Sequence, residues 1–344
     1  MAAPDTKKTA SARSKLKTGF GLDIGSFAVK AVELSYSSDK MTVSAFGVVN
    51  IANLSRQEAA GSIKKLLAQS GVTLKEAAIS VSGSSVIERF ITLPKMDEEA
   101  LKGAVKFEAE ILIPFDISEC IIDHKILGKD DRDNKINVLL VAVKKDHLHS
   151  RLKLVEDAGL SARIVDVDMF ASANAFMRCF KNPADKTVAI LNMGASLVNI
   201  SILRGEEIYF ARDLAVGGND FSLAISKVMG LGAEAAEELK LSPGEKIQDV
   251  TGCIRPALNN LLDEIKLSFS YYENQTGKGI DEIYVSGGGS AIAGLSEAFQ
   301  ENFGSNPSIL NPMHFAEVGL PGSDKGPLEK TGSSFTVAMG LALR

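Results

Sequence analysis

One short run of residues occurs twice in this chain without a gap, 169 positions apart: Gly21-Leu22-Asp23-Ile24-Gly25-Ser26-Phe27-Ala28-Val29 and Ile190-Leu191-Asn192-Met193-Gly194-Ala195-Ser196-Leu197-Val198, the alignment continuing to pair Leu34 with Leu203. Each copy is an apolar run, an Asp or Asn, a glycine beside a small residue, and a second run rich in Val, Ile and Leu. That is the pattern of a β-hairpin closed by a tight turn. Two related hairpins imply two related halves, and 344 residues suit two domains better than one core. A turn of glycine and small side chains leaves backbone N–H groups free to face an anion, and an Asp at its edge can hold a hydrated Mg²⁺. The expectation is a nucleotide phosphate clamped between two pseudo-symmetric domains.

The net charge of −5 argues against nucleic acid as the main partner, since a phosphate backbone demands a basic face. Three scattered cysteines, Cys120, Cys179 and Cys253, fit neither a disulfide framework nor a CxxC metal site and read as buried, reduced thiols of a cytoplasmic protein. The purest apolar run, Val138 to Val143, is far shorter than the ~20 residues of a membrane-crossing helix, so no transmembrane segment is expected. Residues 1–18 carry Lys7, Lys8, Arg13, Lys15 and Lys17 among small polar residues and read as a disordered basic leader, with weak attraction to anionic lipid as the lesser alternative.

Periodicity and punctuation divide the rest. Residues 19–83 form a first subdomain: a hairpin at about 19–49, a helix from Arg56 to Ser70 stopped by Gly71, and a strand from Ala77 to Ser82. Residues 84–165 read as an inserted α+β subdomain of two helices and three or four strands, and residues 166–186 as a helix returning to the first subdomain. Residues 187–214 repeat the hairpin as the core of the second domain. Residues 215–278 are helical, with Leu258, Leu261, Leu262, Ile265, Phe269 and Tyr272 on one packing face, and 279–344 return to that core and end in a closing helix. His147 and His149, at i,i+2, point apart on a helix and read as a surface pair rather than a zinc site.

Four glycine segments stand at strand ends or turns: Asp23 to Ser26, Asn192 to Ser196, Gly217-Gly218, and Gly287-Gly288-Gly289-Ser290. In this order and spacing they resemble the nucleotide signature of the actin-like ATPase superfamily. The resemblance implies an α/β fold of two pseudo-symmetric domains, each with a mixed sheet flanked by helices. It also implies phosphate hairpins that straddle the β- and γ-phosphates of ATP and a late Gly-rich turn against the adenosine. Glu237 and Lys240, i,i+3 neighbours in Gly232-Ala233-Glu234-Ala235-Ala236-Glu237-Glu238-Leu239-Lys240, read on their own as a surface ion pair. In bacterial members a similar helix places the Glu on the ribose hydroxyls and the Lys near the base.

From Gly19 to Arg344 the chain most resembles the PilM family of type IV pilus assembly, on Gly-Leu-Asp-Ile-Gly-Ser followed by Lys30-Ala31-Val32-Glu33-Leu34, on Leu93-Pro94-Lys95-Met96, on Phe107-Glu108-Ala109-Glu110 and Ile113-Pro114-Phe115, and on the glycine turns. The resemblance implies ATP and Mg²⁺ as cofactors, with Asp23 on the metal. It places Asp23, Gly25, Ser26, Lys30, Asn192, Gly194, Ala195, Gly217, Gly218, Glu237, Lys240, Gly287, Gly288 and Gly289 around the nucleotide. It further implies a cytoplasmic scaffold, peripheral at the inner membrane, that binds the cytoplasmic tail of a PilN-like protein and links the pilus inner-membrane complex to its motor. That tail would lie in a groove between the first and inserted subdomains, here Gly83 to Leu93 with Glu108 to Phe115; a homo-oligomer stays open.

Two departures from the family pattern stand out: Asn192 where an Asp is usual, and Val198 where relatives often carry a hydroxyl. Asn still hydrogen-bonds but brings no charge to a metal, so nucleotide binding is expected to persist and ATP hydrolysis to be weak at most. Asp166 and Asp168 stand nearest as a hydrolytic base, or as caps of the helix that follows. An FtsA-like filament protein tethered to the membrane is the alternative. It ranks lower because such proteins carry an amphipathic helix after the last domain, whereas Arg344 directly follows the closing helix.

Overall fold

The computed structural model describes residues 16–38, 40–130, 134–319 and 331–344. Residues 1–15 of the basic leader and residues 320–330, ahead of the closing helix, lie outside it. The first copy of the repeat forms β1 (Lys17–Ile24) and β2 (Ala28–Tyr36), joined antiparallel with Asp23 opposite Lys30, and a third strand, β3 (Met41–Asn50), pairs with β2. A helix, α1 (Arg56–Ser70), follows. Ser55 and Glu58 cap its first turn reciprocally, and Gly71 ends it at φ 74°, where only glycine is unstrained. Strand β4 (Glu76–Val81) then lies parallel to β1.

Next comes a three-stranded antiparallel sheet, with β5 (Val86–Pro94), β6 (Cys120–Asp130) and β7 (Lys135–Lys144) in the order β5-β7-β6, and a helix α2 (Glu98–Leu112) between β5 and β6. Helix α2 starts on Asp97, whose carboxylate accepts the Ala100 N–H at 2.8 Å, and stops before Pro114. It covers one face of this sheet through Leu101, Val105 and Ala109. The other face, with Leu139 and Val143, meets Val167, Met169 and Phe170. Burial on both faces explains why β7 is an unbroken apolar run rather than an alternating one.

Helix α3 (Lys145–Asp157) and strand β8 (Ser161–Val167) fall by sequence within the insert at 84–165, but β8 pairs parallel with β4, and Val155 and Leu160 join the core around Ile63 and Ile79. Parallel neighbours need a crossover, and α3 is the helix of that crossover. The three-stranded sheet is therefore spliced into a β-α-β unit of the first sheet and ends at Lys144. Helix α4 (Asp168–Cys179) leads to the second copy of the repeat.

There β9 (Thr187–Met193), β10 (Val198–Arg204) and β11 (Glu207–Leu214) form the same antiparallel meander. Helices α5 (Gly218–Met229), α6 (Ala233–Leu241) and the 30-residue α7 (Ile247–Thr276) follow, and the six residues read as the packing stripe of α7 are all buried. Strand β12 (Glu282–Ser286) pairs parallel with β9, and after α8 (Leu295–Phe303) a short β13 (Ser308–Ile309) completes the second sheet in the order β11-β10-β9-β12-β13. A two-residue β14 (Glu317–Val318) crosses to the first sheet, whose order is β14-β3-β2-β1-β4-β8.

The closing helix α9 (Thr336–Ala342), grouped by sequence with the second domain, packs on the first sheet and on α4. Glycine makes this possible. A Cβ at Gly19 or Gly21 of β1 would sit 1.9 Å from the Ala342 carbonyl oxygen or 2.0 Å from that of Ala338, so the helix backbone rests directly on the strand.

Candidate functional site

The two hairpin turns are built alike and face each other. The Gly25 N–H donates to the Ala28 carbonyl at 3.0 Å and the Gly194 N–H to the Leu197 carbonyl at 2.9 Å. Between those bonds, the N–H groups of Ser26, Phe27, Ala195 and Ser196 have no backbone acceptor among the described residues. They border a cleft of about 250 Å³ whose tips are joined by Ser26 and Ser196, hydroxyl to hydroxyl at 2.7 Å. Unpaired amides converging from two turns form an anion cradle.

Cross-strand partners behind the turns differ between the halves. In the first, the Lys30 ammonium donates to Asp23 at 3.0 Å, and Asp23 is only 6% exposed. In the second, the equivalent positions hold Asn192 and Asn199, bonded amide to amide at 2.8 Å.

Helix α5 docks its N-terminus on the second turn, with the Gly218 N–H bonded to the Gly194 carbonyl at 3.0 Å and the Asn219 N–H to that of Ala195 at 2.7 Å. Lys240 is no surface residue: 7% exposed, it donates to the Gly218 carbonyl at 3.0 Å and to Glu237 at 2.6 Å. The Ser222 hydroxyl donates to the same Glu237 oxygen, Oε2. Opposite, Gly287 adopts φ 81° and passes close to Asn192 and Met193, where a side chain would strike the Met193 carbonyl oxygen at 2.4 Å.

Of the fourteen positions expected around a nucleotide, all but Gly217 line this cleft. Gly217 stands behind it, against the second turn, where a Cβ would meet the Ala195 carbonyl oxygen at 2.6 Å. The wall also contains Asp168, one of the two acids considered as a hydrolytic base, Ser196 of the second glycine segment, and three residues that no sequence motif marks: Ser82, Arg151 and Ser334. Arg151 donates to the Ile24 carbonyl. Neither Asp166 nor Asp168 caps α4 with its side chain. Asp166 turns away and pairs with Arg344 at 2.5 Å, whereas Asp168 enters the cleft, its carboxyl pushed upward by burial and then by the charge of Asp23. A signal for Ser82 and Asp168 was present, because both follow the C-terminal ends of parallel strands, where open α/β sheets bind ligands.

A second cavity, of about 540 Å³, shares Ser82, Ser196 and Leu197 with the cleft and is walled by Gly83 to Arg89 on one side and Ala211 to Ala215 on the other. No residue of the segment Glu108 to Phe115, expected to line a common groove with Gly83 to Leu93, lines this cavity: Ala109, Ile113 and Phe115 pack with Ile87, Ile91 and Leu93 on the sheet face opposite Glu88, Phe115 beneath the Lys144 ammonium at 4.1 Å. His147, read as a surface residue, is half-buried in this cavity, and its Nε2 and the Glu88 Oε1 have no partner among the described residues.

Burial, and then the charge of Asp213, push the Glu88 carboxyl up to about 7 from its ordinary 4.5. A raised carboxyl keeps its proton longer in the folded than in the unfolded chain, so it costs stability progressively as pH rises through roughly 4.5 to 7. Replacing Glu88 by Gln is expected to add about 2 kcal/mol at pH 8 and little at pH 4.5. Urea melts at the two pH values check this, and an equal gain at both contradicts it.

The chain matches the family of type IV pilus assembly protein PilM over residues 21–344. It belongs to that family. This PilM-family chain is similar to a solved PilM–PilN type IV pilus biogenesis complex, at 28% identity and a TM-score of 0.86 over 95% of this chain and 98% of that one. MreB5 of Spiroplasma citri, solved bound to ADP, is similar in fold, with 12% identity and a TM-score of 0.51 over 94% of each chain. The fold is that of the actin-like ATPases. Cell division protein FtsA of Streptococcus pneumoniae is a distant relative, 24% identical in an alignment 258 positions long that covers 65% of this chain and 55% of FtsA. The matches span about half the length of the curated relatives or less. Among the described residues no helix is long and apolar enough to cross a membrane.

Proposed function

We propose that this PilM-family protein is a nucleotide-switched scaffold: ATP with Mg²⁺ occupies the cleft, and the cytoplasmic tail of a PilN-like inner-membrane protein binds beside the insert. This would hold the chain at the cytoplasmic face of the inner membrane within the pilus assembly machinery. The convergence of both glycine turns, α5, Lys240 and the Gly287 turn on one cleft carries the nucleotide reading. The residues fit the group: free amides and Lys30 suit phosphates, the half-buried Glu237 carboxylate suits ribose hydroxyls, and the Asp23 and Asp168 carboxylates can face a hydrated Mg²⁺, which keeps most of its waters and takes one or two protein acids. With Asn192 contributing no charge, binding is favoured over rapid hydrolysis.

For the tail, the cavity between Gly83–Arg89 and Ala211–Ala215 replaces the groove expected from sequence. It sits at the root of the insert, and its orphaned Glu88 and His147 offer partners to an extended peptide. A synthetic peptide of a PilN-like tail, labelled and titrated by fluorescence polarisation, is the test. Ala211→Trp, which fills the cavity, is expected to weaken peptide binding at least tenfold and leave the heat of ATP–Mg²⁺ binding in place. Unchanged peptide affinity would sink this location, and no peptide binding by the parent would sink the partner.

A further inference from the structure

Asn192, read from sequence as an acid lost from the phosphate site, lines the cleft and also takes part in a row of side chains that runs away from it. Four residues stand side by side across the second sheet: Ser286 of β12 opposite Asn192 of β9, Asn192 opposite Asn199 of β10, and Asn199 opposite Asp213 of β11. Their side chains are bonded in one direction. The Ser286 hydroxyl donates to Asn192 Oδ1 at 3.4 Å, Asn192 Nδ2 to Asn199 Oδ1 at 2.8 Å, and Asn199 Nδ2 to Asp213 Oδ1 at 2.6 Å. The other oxygen, Asp213 Oδ2, accepts the backbone N–H of Gly83 at 2.5 Å. One end of the row is the residue that precedes the Gly287–Gly289 turn of the cleft. The other end holds the junction between β4 and the insert, in the first domain.

The direction of this row is dictated by its chemistry. A carboxylate only accepts, and an amide has one donating and one accepting end. Asp213 takes the donating end of Asn199, so the accepting end faces position 192, which must donate. Asn does so; Asp cannot. A carboxylate at position 192 would set its oxygen against Asn199 Oδ1, or, if the Asn199 amide turned over, set that oxygen against Asp213. Asn199 is fully buried, so no water can stand in for the missing donor. The equivalent pair in the first half, Asp23 with Lys30, is an ion pair that ends where it begins.

We propose that the row Ser286–Asn192–Asn199–Asp213 is an interdomain link, with Asn192 as its obligate donor, that ties the state of the cleft to the root of the insert at Gly83. The link itself rests on the hydrogen bonds alone; that a nucleotide drives it rests on the reading given under Proposed function.

Amide hydrogen exchange of the segment around Gly83 in the full chain, followed by mass spectrometry, tests it. Asn192→Asp is expected to speed exchange there at least tenfold. Adding Asp213→Asn in the same chain is expected to restore slow exchange, because the row can then run in reverse: the new amide at position 213 donates to Asn199, and Asn199 donates to the new carboxylate at position 192. In the parent, saturating ATP–Mg²⁺ is expected to slow exchange at Gly83 further, and Asn199→Ala to remove that response at a nucleotide concentration that saturates the variant. Exchange in Asn192→Asp equal to the parent, or no rescue by the second substitution, overturns the link. If the parent binds ATP with unchanged exchange at Gly83, transmission is overturned. An absence of ATP binding instead refutes the nucleotide reading, and the two exchange comparisons without nucleotide still decide the link. Thermal melts of each variant separate local loosening from global unfolding.

Discussion

Gly217→Ala is expected to weaken ATP–Mg²⁺ binding about a hundredfold, a loss of about 2.7 kcal/mol. Gly217 has extended backbone angles, φ −156° and ψ −167°, so the substitution imposes no backbone strain of its own and acts only by contact. The added methyl group would stand 2.6 Å from the Ala195 carbonyl oxygen and 2.7 Å from the Leu197 nitrogen, both backbone atoms of the second turn. Neither can rotate out of the way. The turn has to shift by several tenths of an ångström, and with it the amides of Ala195 and Ser196 that would hold phosphate; displacements of this order at preorganised sites cost up to ~10²-fold. Calorimetry of parent and variant decides it, since an affinity within threefold of the parent is incompatible with this role for the second turn.

Gly340→Ala is expected to cost about 3 kcal/mol of folding stability or more. A Cβ at Gly340 would lie 1.7 Å from the Ala171 carbonyl oxygen, which fixes the closest approach of α9 to α4. With Gly19 and Gly21 under the same helix, α9 has no free direction in which to retreat. Against a total stability of ~5–15 kcal/mol such a loss is large. A matched control is Gly103→Ala in α2, where nothing lies within 4 Å, and which is expected to gain ~0.5–1 kcal/mol from helix propensity. If the urea midpoint of Gly340→Ala coincides with that of the parent, the α4–α9 contact is wrong.

What could be read in advance depended on the range of the interaction. The bounds of α1 and the twin turns were legible because capping, turn glycines and apolar periodicity act over a few residues. The end of the insert was misplaced, because nothing local distinguishes a strand of the small sheet from β8, and parallel pairing of β8 with β4 spans 85 positions of chain. Glu237 and Lys240 show the same limit at close quarters. Their i,i+3 spacing was visible, but the burial of Lys240 under the Gly218 carbonyl comes from α5, more than a turn away in sequence.

The repeat by itself determined that this chain has two matching halves with a glycine turn in each, and which residues stand in those turns. Tertiary structure alone decided which acid enters the cleft, Asp168 rather than Asp166, and that the closing helix rests on the first sheet. It also decided that Asn192 donates along a row ending at Gly83. The reason is that a hydrogen bond has a direction set by both partners, and for Asn192 the partner that sets it, Asp213, lies two strands away.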